Sequence, residues 1–204
     1  MCYNTKLIRT AAELENRFAV NFPNKKEYYP REIINAFTFP KTPVITNWEP
    51  KIIQNLQWGL IPAFSTDRSI QKFTLNAKIE TLSVKPSFKS NVENRCLILA
   101  DGFYEWQWLD AKGKRKQKYL IETIGNPVFA FAGIFAQWMD KETGEILLTY
   151  SIVTTEANEL MAEIHNIKKR MPVVLSPENE SKWLQGAPIE QFKNVTTPLK
   201  AEPC

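Results

Sequence analysis

The sequence predicts an α+β protein, mostly antiparallel, with a curved or barrel-like β-sheet and a few peripheral helices. Three observations support this class. Short β-favouring runs recur along most of the chain, helical periodicity is confined to a few short segments, and a turn cluster at residues 110–113 joins two strand-like runs.

The elements follow in order. Thr10 with Glu13 fits a capping box, and Leu14 and Phe18 then share one helical face. Pro23, Pro30, Pro40 and Pro43 punctuate a loop-like stretch. Strands are expected at residues 44–46, 56–58 and 96–99. Residues 104–108 alternate aromatic and polar side chains, which should turn Glu105 away from the face of Tyr104 and Trp106. After the turn, residues 119–124 read as the returning strand, and 128–132 and 147–154 as two more. Thr155 is expected to cap a helix carrying Leu160 and Ile164, with His165 at its end. Residues 171–175 return to strand. Ser176 at N-cap and Pro177 at the first helical position then open a short helix that Gly186 ends.

At 204 residues the chain suits a single domain, expected over residues 1–204, with about 186–204 as a loosely held tail. No run of about 18 apolar residues suggests a membrane span, and no apolar signal core opens the chain, so a cytoplasmic protein is expected. Cys2, Cys96 and Cys204 are far apart, none lies in a C-x-x-C pair, and there is one histidine in all. That argues against a disulfide framework or zinc site, and no metal or cofactor is expected. A net charge of +4 permits nucleic-acid binding without demanding it.

Cys2 follows the initiator methionine directly. Removal of Met1 would leave a 1,2-aminothiol, which traps aldehydes: the amine forms a Schiff base and the sulfur closes a thiazolidine. An α-amine of pKa roughly 7.7–8.0 is partly neutral near pH 7, and a thiol of pKa about 8.5 is a few per cent thiolate, a share its surroundings can raise. Asn76, Glu105 and His165 are the other candidates, on separate segments that only the fold can unite. Glu105, among aromatic residues, would have its pKa raised toward one useful for proton transfer. Each also has a bland reading: a chain start for Cys2, a capped turn for Asn76, a solvated strand position for Glu105, a helix C-terminus for His165. Lys112, Lys114, Arg115, Lys116 and Lys118 read first as a solvated hairpin, and Lys168, Lys169 and Arg170 as a phosphate grip. Trp58, Phe64, Trp106 and Trp108 could stack bases, though Trp106 and Trp108 are expected in the core.

Taken in order, several segments resemble the SOS response-associated peptidase (SRAP) family, the abasic-site processing proteins. They are Met1-Cys2; Trp58-Gly59-Leu60-Ile61-Pro62; Asn76-Ala77-Lys78-Ile79-Glu80-Thr81; Arg95-Cys96-Leu97; Ala100-Asp101-Gly102-Phe103-Tyr104-Glu105-Trp106; Ala132-Gly133-Ile134; Ile152-Val153-Thr154-Thr155; and Ile164-His165 followed by Arg170-Met171-Pro172-Val173. Each is weak alone, but the ordered set spans residues 1 to about 184.

The resemblance implies binding of single-stranded DNA that carries an abasic site, and a thiazolidine crosslink from Cys2 to the aldehyde of the open deoxyribose. Glu105 would move protons, His165 would assist sugar opening, and Asn76 would hold the N-terminus or a developing oxygen. Lys78, Thr154 and Arg170 would contact phosphates, with Pro40 as a wedge and Phe64 as a stacking ring. The family name records a proposed thiol autopeptidase activity that would expose Cys2. A monomer associated with DNA is expected. The chain departs from the family's usual Met-Cys-Gly-Arg start at Tyr3 and Asn4, has Phe64 where tryptophan is common, and has Lys78 where arginine is common. Lysine lacks the bidentate fork, so weaker or more salt-sensitive DNA binding is expected. Two alternatives compete: a thiol peptidase using Cys2, His165 and Asn76, and a non-catalytic single-strand binding module.

Overall fold

A computed structural model describes residues 2–194 and 197–204. Its elements are β1 (Asn4–Leu7), α1 (Ala11–Phe18), β2 (Arg31–Asn35), β3 (Lys41–Thr46), β4 (Ile53–Trp58), β5 (Asn76–Lys78), α2 (Pro86–Lys89), β6 (Arg95–Ala100), β7 (Gly102–Trp108), β8 (Lys116–Thr123), β9 (Phe129–Met139), β10 (Ile146–Glu156), α3 (Glu159–Ile164), β11 (Arg170–Pro172), β12 (Val174–Leu175), α4 (Pro177–Leu184) and β13 (Leu199–Pro203), with short 3-10 turns between. The α+β class, the antiparallel bias and the curvature are as expected.

Strands β10, β4, β3, β6 and β9 pair in that order, and β9 pairs back onto β10, closing a barrel. Closure leaves this layer without free edges. Every pairing in it is antiparallel except β4 with β10. Strand β5 continues the parallel side where β4 ends, setting Asn76 opposite Ile152 and Lys78 opposite Thr154. On the far side of that end, β11 pairs with β10, so Pro172 also faces Thr154. The second sheet runs β13-β8-β7-β1-β2. Strand β6 is buried along its whole length because the barrel interior lies on one side and α4 packs on the other. Gly133 on β9 permits this closeness: a Cβ there would lie 2.5 Å from Ile98 Cδ1 and 2.7 Å from Cys96 Sγ. The Trp183 indole then reaches in and donates to the carbonyls of Cys96 and Gly133, each at 3.1 Å.

The capping box forms as the sequence indicates: Glu13 N–H donates to Thr10 Oγ1 at 3.3 Å, and Thr10 N–H to Glu13 Oε2 at 2.7 Å. Several local expectations differ, among them the following. The cap of α3 is Asn158, whose Oδ1 accepts from Met161 N–H at 2.9 Å; Thr155 instead donates to the Lys193 carbonyl at 2.6 Å. The strand expected over residues 128–132 begins at Phe129 and continues to Met139, because the barrel needs a long partner for β10. Within the stretch expected to be loosely held, residues 199–203 form β13 and pair with β8 from Leu199↔Thr123 to Pro203↔Tyr119. Among the described residues, no helix is long and apolar enough to cross a membrane, and no group of three or more His, Cys, Asp or Glu side chains gathers as a metal site.

Candidate functional site

The site lies where the second sheet meets the open end of the barrel. Strand β1 runs antiparallel to β7 with Asn4 opposite Tyr104, so the residues preceding Asn4 arrive beside Glu105. From the barrel side, the Asn76 side-chain amide donates to the Cys2 carbonyl at 2.9 Å. Helix α3 ends at His165, which, with Glu105, lines a cavity of about 270 Å3 also bounded by Tyr3, Trp106, Trp108, Lys116, Ile167 and Lys168. Four separate segments thus converge: Cys2, Asn76, Glu105 and His165 belong to one locality.

Their electrostatics follow from burial. Glu105 is 7% exposed, and desolvation raises its pKa above the usual carboxylate value, although its Oε1 accepts a 3.2 Å bond from Trp106 N–H. The Cys2 side chain is fully buried. Desolvation and then the Glu105 charge push its thiol well up, outweighing the Asn4 N–H directed at it. The surroundings could have raised the thiolate share; here they lower it. His165 is lowered to about 4, first by burial and also by the charges of Lys168 and Arg170, so the ring is neutral at pH 7. Its Nδ1 lies 2.9 Å from the Arg170 carbonyl oxygen and 3.1 Å from the Arg170 N–H, so either tautomer finds a partner on that one residue. Asn76 Oδ1 is buried and meets no donor among the described residues.

The residues expected to grip phosphate divide into two groups. Lys78 is exposed and lines a second cavity of about 270 Å3 beside Asn76. Arg170 is 8% exposed and is committed inward, forking onto Glu80 at 2.7 and 2.9 Å and donating to the Thr154 carbonyl at 2.8 Å. Thr154 is wholly buried, and its hydroxyl accepts from Arg170 at 3.3 Å. These two therefore brace the site's framework. Phe64 is 63% exposed and Pro40 half-buried; neither lines the two cavities.

Trp58 is core, with its indole donating to the Leu75 carbonyl at 2.9 Å. Trp106 and Trp108, expected in the core, are half-buried cavity walls. The reason is that β7 leaves the packed interior after Glu105, and its burial falls from there on. The hairpin register sets Lys116 opposite Trp108, with its Nζ 5.0 Å from the ring centroid. That lysine belongs to the site, and the turn at residues 110–113 was the signal from which its pairing could have been deduced. Tyr3 was noted only as a departure from a family pattern. It lines both cavities and packs its ring 4.9 Å from that of Phe37.

Comparison with known proteins gives a consistent result. A family profile described as SOS response associated peptidase (SRAP) matches residues 1–203. The chain is 39% identical over 186 residues to "Abasic site processing protein YoqW" of Bacillus subtilis (strain 168), covering 90% of this chain and 80% of that protein. It is 34% identical over 163 residues to "Abasic site processing protein HMCES" of Gallus gallus, covering 68% of this chain and 47% of that one. A crystal structure of a protein from Bacteroides thetaiotaomicron superposes with a TM-score of 0.90 at 33% identity, covering 99% of this chain and 91% of the other.

Proposed function

This chain belongs to the SOS response associated peptidase (SRAP) family, and on that premise we propose that it acts on abasic sites in single-stranded DNA by covalent capture. Once Met1 is removed, the Cys2 amine adds to the sugar aldehyde and loses water to give an imine. The Cys2 sulfur then adds to the carbon of the protonated imine, its proton passing to Glu105, and a thiazolidine closes. One observation carries this reading: the only residue able to become an aminothiol is tethered by Asn76 beside a buried carboxyl and a neutral imidazole.

Each neighbour has a part that its environment suits. Glu105, its pKa raised by burial, delivers a proton to the departing hydroxyl and recovers one from the thiol. His165, neutral at pH 7, accepts the proton of the sugar hydroxyl as the ring opens. Asn76 holds the Cys2 carbonyl with its amide and offers Oδ1 to the hydroxyl or amine of the addition intermediate. Lys78 and Lys168 supply positive charge at the two cavities for backbone phosphates. Single strands are favoured because an abasic sugar with no opposing strand is extruded at lower unstacking cost.

The test is a denaturing gel after incubating the Met1-processed protein with abasic single-stranded, intact single-stranded and abasic duplex oligonucleotides. A stable adduct with the abasic single strand, lost in Cys2→Ala, is the expected result. Salt-sensitive binding with no adduct would overturn capture in favour of a binding module, and cleavage of an added peptide would favour a thiol peptidase.

A further inference from the structure

Apart from Asn76 and the charge of Lys78, the cavity beside Asn76 is not used by the chemistry above. It is lined by Tyr3, Lys72, Phe73, Leu75, Asn76, Lys78 and Lys85. Phe73 is 71% exposed, more than any other exposed large hydrophobic side chain among the described residues, and Lys72 holds its Nζ 5.0 Å from that ring's centroid. Lys72, Lys78 and Lys85 bring three cations to the rim, and no acidic residue lines the cavity. At about 270 Å3 it lies just below the size of a drug-sized pocket, which suits one base rather than a larger ligand. An exposed aromatic face with lysines around it is the chemistry that holds an unstacked nucleotide, ring on base and ammonium on phosphate.

Tyr3 relates this cavity to the other one. It is the residue that both linings share, which sets it between the two cavities. The rings of Tyr3 and Phe37 lie 4.9 Å apart, a contact that steadies the Tyr3 side chain. We propose that the Phe73 cavity is a nucleotide subsite, seating the base and phosphate next to the lesion, with Tyr3 as the partition that keeps that base out of the Glu105–His165 cavity. The inference rests on the capture reading, since the lesion sugar is what occupies the neighbouring cavity.

The experiment compares adduct formation by the processed protein on oligonucleotides whose nucleotides flanking the abasic site carry a base or are replaced, one side at a time, by a stable baseless analogue. Removing the flanking base on one side should slow capture by wild-type protein about tenfold at sub-saturating DNA, the scale of one base–aromatic stack. Phe73→Ala should be slowed by a similar factor on the fully based strand and lose its sensitivity to that base. Because Phe73 is so exposed, its variant should keep the wild-type melting temperature. If wild-type protein captures all strands at equal rates, or if Phe73→Ala still responds to the missing base, the subsite is wrong while capture stands. If no strand yields an adduct, the capture reading itself has failed. Tyr3→Gly should narrow the rate difference between abasic strands with small and large flanking bases; an unchanged difference would overturn the role of the partition.

Discussion

Asn76 holds Cys2 by a single hydrogen bond, 2.9 Å from its side-chain nitrogen to the Cys2 carbonyl oxygen. Asn76 sits at the start of β5, fixed in parallel register against Ile152 of the barrel. The nucleophile-bearing end of the chain is thereby tied to the barrel. Asn76→Ala removes both the tether and the buried Oδ1. We expect adduct formation to slow by about two orders of magnitude, as for loss of one preorganised donor, with about 1 kcal/mol lost in stability. Single-turnover gels and denaturant melts measure the two effects; a large stability loss with unaltered capture would make Asn76 merely structural.

The burial of Cys2 gives a second expectation. With Met1 present the α-amine of residue 2 is consumed in a peptide bond, and the sulfur is wholly buried and held protonated. A Met1-retaining preparation should react slowly with a water-soluble thiol reagent at Cys2, and the processed form much faster. The exposed Cys204 serves as an internal standard in the same sample. Equal slow labelling of Cys2 in both forms would mean the sulfur stays walled off, and the capture mechanism would not survive that result.

Glu105 and His165 impose opposite pH slopes on stability. Glu105 is raised above 4.5 in the folded chain, so its contribution is most favourable at low pH and is lost as pH rises from about 4.5 through that raised value. His165 is lowered from 6.5 to about 4, so its contribution is present above 6.5 and is lost as pH falls through that window. Glu105→Gln should therefore melt higher than wild type at pH 7 while capturing abasic DNA poorly, and His165→Gln should flatten the decline between pH 6.5 and 4. Melting curves across that range check both signs. A Glu105→Gln protein less stable at pH 7 would show that its partners outweigh its desolvation.

Much of this site was legible as residue identity and little of it as geometry. Cys2, Asn76, Glu105 and His165 could be named because each is a chemically distinctive side chain in a distinctive local pattern. Their convergence depends on pairings of long sequence separation, β1 with β7 and β5 with β10, which no local periodicity encodes. Trp106 and Trp108 were placed in the core because alternation reports a face but not where a strand leaves its cover. Arg170 illustrates the same limit. As a basic residue after two lysines it reads as a phosphate ligand, yet its fork is spent on Glu80, a partner 90 residues away. The capping box, by contrast, is made within four residues, and the sequence alone sufficed for it.

That assignment of Arg170 is itself testable. If its guanidinium braces Glu80 and Thr154, Arg170→Lys and Glu80→Gln should each cost about 1–2 kcal/mol and the pair should cost less than the sum, Glu80 being partly exposed. The salt dependence of DNA binding should be unchanged in both. A shallower salt slope in Arg170→Lys would return the residue to the phosphates.

Lys78 is expected to behave in the opposite way. It is exposed at the rim of the second cavity, and its ammonium lacks the bidentate fork of an arginine. Lys78→Gln should leave the melting temperature within error, weaken binding of every single strand alike, and reduce the slope of log K against log salt by about 0.7, the release of one counterion from single-stranded DNA. Lys78→Arg should tighten binding at every salt concentration by restoring two-point contact while leaving that slope where it was, since the charge is the same. Titrations at several salt concentrations with an intact oligonucleotide separate these effects from the covalent step. A Lys78→Gln variant with wild-type slope would remove this residue from the DNA path, because an exposed cation touching phosphate cannot be lost without changing the number of ions displaced.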